Sequence, residues 1–237
     1  MSRSALVISA VLCLIQSVPS LWDTLPIGKP ADFPGGRAAS NGSLTTSGGE
    51  MLARVTAGGA SYARGVVDFT RRTGALGSGR TFELSGRFRF DADGHYVSVM
   101  RADDFAAYGT AAIQLGVERQ QGDGRLHIAA RRYDDTWTGF DVASLVTPEP
   151  RREYRLRLRV TVGSDAVGGA STQLWVDGAL AAATTAPNVL PGRAFTKARM
   201  GVVAVAGAPA SIAMRDLEVR TDRPAWVRWL PVPFRVT

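Results

Sequence analysis

The sequence predicts an all-β chain folded as a two-sheet antiparallel sandwich. Three observations carry this. From Tyr154 to Val162 the residues alternate strictly: Tyr154, Leu156, Leu158, Val160 and Val162 point one way, and Arg155, Arg157, Arg159 and Thr161 the other. A period of two marks a strand with one buried face. Asp177-Gly178 stands between two strand-like runs, Gln173–Val176 and Ala179–Thr184. That is a hairpin signal, because a two-residue turn of the favoured hand needs positive φ at both central residues. Finally, strand-like runs recur along the chain with turn residues between them, and no convincing helical stretch follows residue 20.

In chain order, the first twenty residues differ from the rest. Arg3 precedes an apolar run, Ala5–Ile15, and Val18-Pro19-Ser20 suits cleavage after Ser20. Residues 1–20 are therefore expected to be a signal peptide, and the protein to be secreted. Gln16, Ser17 and Pro19 cut the run short of the ~20 residues that a membrane span needs. No stable membrane insertion is expected once the segment is removed. Cys13, the one cysteine, lies inside this run, so the remainder has no disulfide, no cysteine nucleophile and no cysteine-based zinc site.

Leu21–Ser47 is rich in Pro, Gly, Ser and Asn, with Leu21-Trp22-Asp23 readable as an edge strand and Asn41-Gly42-Ser43 as a glycosylation acceptor. Strands are then expected at Met51–Thr56, Gly65–Phe69, Thr81–Phe90, Tyr96–Arg101, Ala111–Arg119, Arg125–Tyr133 and Trp137–Val142, and later at Met200–Val205 and Ser211–Val219. Gly74–Gly79 precedes a strand rather than a helix, which makes it a turn and not a phosphate loop. Residues 221–237 carry three prolines among Trp226, Trp229 and Phe234, and read as a non-helical tail packed on the sandwich. One domain over residues 21–220 is the simplest division.

The formal charge is +7, or +6 without Arg3, and Lys29 and Lys197 are the only lysines among 28 basic residues. A basic surface attracts polyanions. With no recognition helix or aromatic RNA-binding motif, the expected partner is an extracellular polysaccharide or glycoconjugate and not nucleic acid.

The order of the Tyr154–Val162 strand, the Val176-Asp177-Gly178 hairpin, the Met200–Val205 strand and the closing Ser211–Val219 strand resembles the C-terminal half of concanavalin A-like (laminin-G-like) jelly rolls. The resemblance covers roughly Phe82–Arg220. It implies a jelly-roll sandwich that binds glycans on one concave sheet face or at its rim, as a lectin does. It does not carry an activity by itself.

Outward positions on the middle strands are the candidate ligand contacts: His127, Arg131 and Tyr133 on one strand, Gln114 and Glu118 on another, Arg101 on a third, and Trp137 in a loop with Asp134, Asp135 and Thr136. The main reading is a non-catalytic, lectin-like domain for acidic chains. The first alternative is a polysaccharide lyase using His127, Tyr133, Arg131, Arg101 and Gln114. Elimination beside a uronate needs a group to neutralise the carboxylate, a base and an acid. Alginate-lyase-like jelly rolls carry R-x-E-x-R and Q-x-H strands, and neither occurs here; Leu126-His127-Ile128 has no Gln two residues before His127. A glycoside hydrolase is less favoured, because the paired carboxylates of an E-x-D-x-x-E strand are absent. A third class is a protein-binding adhesion module. No cofactor is required. Calcium is the one ion considered, with Asp91 and Asp93 of Asp91-Ala92-Asp93-Gly94 as ligands, although no Glu closes that loop and an ordinary turn explains it.

Overall fold

The computed structural model describes residues 22–57, 60–90, 97–103, 112–119, 126–133, 141, 142, 144, 146–205 and 209–222; at 112, 114, 118, 119, 126, 129–133, 141 and 142 it describes the backbone alone. Among these residues the chain forms two antiparallel sheets.

Sheet A contains β1 (Trp22–Ile27), β3 (Gly42–Ser47), β4 (Glu50–Val55), β6 (Thr81–Phe90), β11 (Glu153–Thr161), β12 (Ser171–Val176), β13 (Ala179–Thr184) and β15 (Ala210–Asp222). Its order is β13-β12-β11-β6-β15-β4-β3, and β1 pairs with the second half of β15. Sheet B contains β2 (Arg37–Ser40), β5 (Tyr62–Asp68), β7 (Val97–Asp103), β8 (Ala112–Arg119), β9 (Leu126–Tyr133), β10 (Asp141–Val142) and β14 (Lys197–Val205), in the order β10-β9-β8-β7-β14-β5-β2.

The alternation seen in the sequence fills the space between the sheets. Phe82, Leu84 and Phe88 of β6, Leu156, Leu158 and Val160 of β11, and Ile113, Leu115 and Val117 of β8 are all buried. Each apolar side chain so buried contributes about 1.5–3 kcal/mol. Phe82 is the aromatic centre, with Phe69 at 5.7 Å and Phe195 at 5.4 Å between ring centroids. Tyr154 is fully buried, and its hydroxyl accepts the Glu149 backbone N–H at 2.7 Å, which satisfies the polar end of the ring.

The hairpin forms as expected. Asp177 (φ 51°) and Gly178 (φ 87°) make a two-residue turn between β12 and β13. Asp177 also uses its carboxylate, taking the Arg155 backbone N–H at 2.8 Å and the Arg152 guanidinium at 3.1 Å. The N-terminal edge strand also forms, and runs on to Ile27 against β15.

Three features depart from expectation. The Leu21–Ser47 segment holds β2 and β3 in addition to the edge strand. Phe69 does not end a strand but opens a single helical turn, α1 (Phe69–Arg72), capped by the Asp68 carboxylate on the Thr70 N–H at 3.0 Å. The final strand is longer than expected, running through Thr221 and Asp222, so the tail begins later; residues 223–237 lie outside the described residues.

Gly65 is a close-approach glycine on the inward face of β5, where a Cβ would fall inside the ring of buried Phe33. Gly65→Ala is expected to destabilise the fold by about 2 kcal/mol through overpacking, read as a lower denaturant midpoint at unchanged slope.

Candidate functional site

Antiparallel pairing puts partnered residues on the same side of a sheet, so the register of sheet B defines rows across its outward face. One row runs over four strands: Arg131, Gln114, Arg101, Arg199. Three strand steps make it about 15 Å long. The next row is Ala129, Gly116, Ser98, Ala204, all small residues. Beyond it, His127 faces Glu118. A floor of small residues thus lies between an arginine-rich wall and a wall containing His127. Gly116 cannot be enlarged, since a Cβ there would collide with the Val97 carbonyl and the Ser98 backbone.

The arginine wall continues onto β5. Gly201 lies opposite Arg64 and has no side chain to obstruct it, and Arg64 donates from Nη1 to the Val203 carbonyl across β14 at 3.1 Å. The same guanidinium lies 4.1 Å from the centroid of the Tyr62 ring. Asp103, only 1% exposed, pairs with both Arg101 and Arg199. Arg64, Arg101 and Arg199 are close enough to repel one another. Burial first, and then the charges of Arg64 and Arg101, push the Arg199 guanidinium down to about 9. Burial likewise lowers Arg64, with Tyr62 opposing and Arg101 adding to the shift. At neutral pH Arg199 remains a cation in a site partly withdrawn from water. An entering carboxylate would relieve the repulsion and offers the planar geometry a guanidinium fork takes bidentately.

The expected ligand residues are distributed over this face as follows. Arg101, Gln114 and Arg131 share one row. His127 is buried, 5% exposed, although its position is on the outward side, so it is not an ordinary surface residue. Glu118 is its cross-strand partner. Tyr133 lies one row beyond the arginines, in line with Ala112, Asp103 and Lys197. Six residues along one strand separate His127 from Tyr133, about 20 Å, so the two do not converge on one carbon. Trp137, Asp91 and Asp93 lie outside the described residues.

Four contributors were not expected from the sequence: Tyr62, Arg64, Asp103 and Arg199. The alternation of Tyr62, Arg64, Val66 and Asp68 was the available signal for the first two.

No family model and no curated protein matches this chain. Solved structures do. The alginate lyase Aly36B superposes with a TM-score of 0.56 at 12% identity, over 88% of this chain and 98% of that one. An endo-β-1,4-glucuronan lyase from the fungus Trichoderma reesei gives a TM-score of 0.52 at 13% identity, over 85% and 95%. The alginate lyase AlyC3 in complex with dimannuronate gives 0.53 at 7%, over 74% and 75%. At such identities the likeness establishes the fold: the chain is a concanavalin A-like jelly roll.

Proposed function

We propose that the outward face of sheet B binds an acidic polysaccharide and that the protein is a lyase cleaving beside a uronate by β-elimination. The observation that carries this is the closeness of Arg64, Arg101 and Arg199, the last two paired with the buried carboxylate of Asp103, at one side of a small-residue floor. The jelly rolls it superposes on are named as lyases of alginate and glucuronan, which favours this reading over a lectin. The expected apolar leader at residues 1–20 agrees with an extracellular substrate of this kind.

In the reaction, the guanidiniums hold the uronate carboxylate and stabilise the negative charge that develops on it. His127, across the floor, takes the proton from the carbon bearing the carboxylate. That electron pair forms the new C=C bond as the glycosidic oxygen leaves. The protonated His127 then returns that proton to the leaving oxygen.

Binding without turnover is the second reading. It is favoured by the distance between His127 and the arginine row, about 14 Å along the strand. The test is to add the full chain to uronate polymers and follow the ultraviolet absorbance of the unsaturated product, with and without EDTA. Rising absorbance that is lost in His127→Ala is the expected result. Saturable binding with no absorbance installs the lectin-like reading. Neither binding nor turnover moves the assignment to a protein-binding module.

A further inference from the structure

We propose that the opposite side of the sandwich, the outward face of sheet A, carries a second anionic-polysaccharide site centred on Arg155, Arg157 and Trp175. This site uses none of the residues of the groove on sheet B and does not depend on elimination chemistry; it shares with that reading only the class of ligand.

Among the described residues of this face, Arg54, Arg155 and Arg157 have no ion pair, and of these Arg155 and Arg157 lie together on β11. Arg89 pairs with Glu50 at 2.9 Å, Arg159 with Glu83 at 3.3 Å, and Arg80 with Asp222 at 2.6 Å. Arg87 pairs with Glu153 at 3.2 Å and Asp216 at 3.0 Å; Arg215 pairs with Glu153 at 2.7 Å; Arg220 pairs with Glu218. Arg155 and Arg157 are different. Among the described residues no carboxylate lies within ion-pair distance of either guanidinium. Arg155 is exposed, and its link to Asp177 is made by the backbone N–H. Arg157 lies over the Trp175 ring, 3.9 Å from its centroid.

The two arginines are two residues apart on β11 and so lie on one face, about 7 Å apart along the strand. They border a cleft of about 260 Å³ lined also by Arg87 and Arg220 and by three carboxylates, Glu83, Asp216 and Glu218, each already engaged by an arginine other than Arg155 and Arg157. A second cleft of about 430 Å³ follows along the same strands, lined by Trp22, Thr161, Gln173 and the Arg80-paired Asp222 among others, with Arg159 over the Trp22 ring at 5.2 Å. Unanswered guanidiniums, two tryptophans with one polar edge each, and hydroxyl and amide groups are the chemistry that holds a saccharide bearing carboxylate or sulfate groups. The run from Arg155 to Thr161 is about 20 Å, long enough for a polymer segment rather than a single sugar. A site there would hold a chain on one side of the protein while the groove works on another.

The test uses the full chain and two variants at exposed Arg155 and half-buried Arg157, Arg155→Ser with Arg157→Ser, and Arg155→Glu with Arg157→Glu, each checked for an unchanged melting temperature. Binding to alginate, to dextran sulfate and to neutral dextran is measured at low and raised salt. The double serine variant is expected to bind the preferred anionic polymer about tenfold more weakly, and the glutamate variant weaker still. Turnover of short uronate oligosaccharides should be unchanged in both. Preference between alginate and dextran sulfate assigns the anion as carboxylate or sulfate. Unchanged affinity in both variants, equal binding of neutral dextran, or no binding of either anionic polymer by the unmodified protein overturns the proposal. Binding that depends on Arg155 and Arg157 with no unsaturated product would keep this site and discard the elimination.

Discussion

Replacing Arg199 by alanine is expected to lower kcat/KM on a uronate polymer by about 10²–10³-fold, the usual effect of removing one charge-stabilising donor from a reacting centre. Arg199 occupies the end of the arginine row, pairs with Asp103, and is held among two other guanidiniums. Its removal leaves Asp103 with Arg101, so the buried carboxylate keeps a partner and the fold should survive. Melting temperature is the control, and a variant that melts normally and turns over at the original rate would remove this face from the reaction.

Arg199→Lys adds a pH-dependent form of the same test. An amine loses its proton more readily than a guanidinium. The burial and the Arg64 and Arg101 charges that lower Arg199 would act on it too. The required species is the cation, present below the folded-state pKa and lost as pH rises through it. Activity of Arg199→Lys should therefore fall as pH rises from mildly acidic to mildly alkaline. The unmodified protein should show no loss at this residue until about 9. A flat ratio of the two profiles would mean that the charge at position 199 takes no part.

Phe82→Ala is the largest expected effect on stability. The ring is fully buried, sits between Phe69 and Phe195, and joins α1 and the segment before β14 to the centre of sheet A. Truncation removes the apolar contacts and leaves a cavity that a two-sheet core cannot easily close, at a cost of about 3–5 kcal/mol. For a chain of this size that lowers the melting temperature by about 10 °C. Binding at low temperature should be retained, because neither wall of the groove touches this ring. A loss below 1 kcal/mol, flagged by about 2 °C or less, would mean that the core repacks around the gap.

The residues missed in the sequence share a cause. Gly65–Phe69 was the expected strand where β5 runs from Tyr62 to Asp68, which excluded Tyr62 and Arg64. The strand expected to end at Arg101 continues to Asp103, and the one expected to start at Met200 starts at Lys197, which excluded Asp103 and Arg199. All four lie near strand ends. Such ends are set by where a neighbouring strand supplies hydrogen-bond partners, and local propensity does not encode that. His127 shows the complementary failure. Its outward position followed from the alternation, but its burial depends on what surrounds it in space.

The sequence by itself determined the all-β class, the inward sets of Phe82, Leu84 and Phe88 and of Leu156, Leu158 and Val160, and the Asp177-Gly178 hairpin, because period-two alternation and turn stereochemistry are local. It also presented Arg101, Gln114 and Arg131 as outward positions. Only the tertiary structure decided that these three form one row with Arg199, far along the chain from all of them, beside a floor of Gly116, Ser98 and Ala204. Strand order and register come from matching whole hydrophobic faces between distant segments. The repulsion of Arg199 by Arg64 and Arg101 arises once that packing has brought the guanidiniums together and taken them out of water.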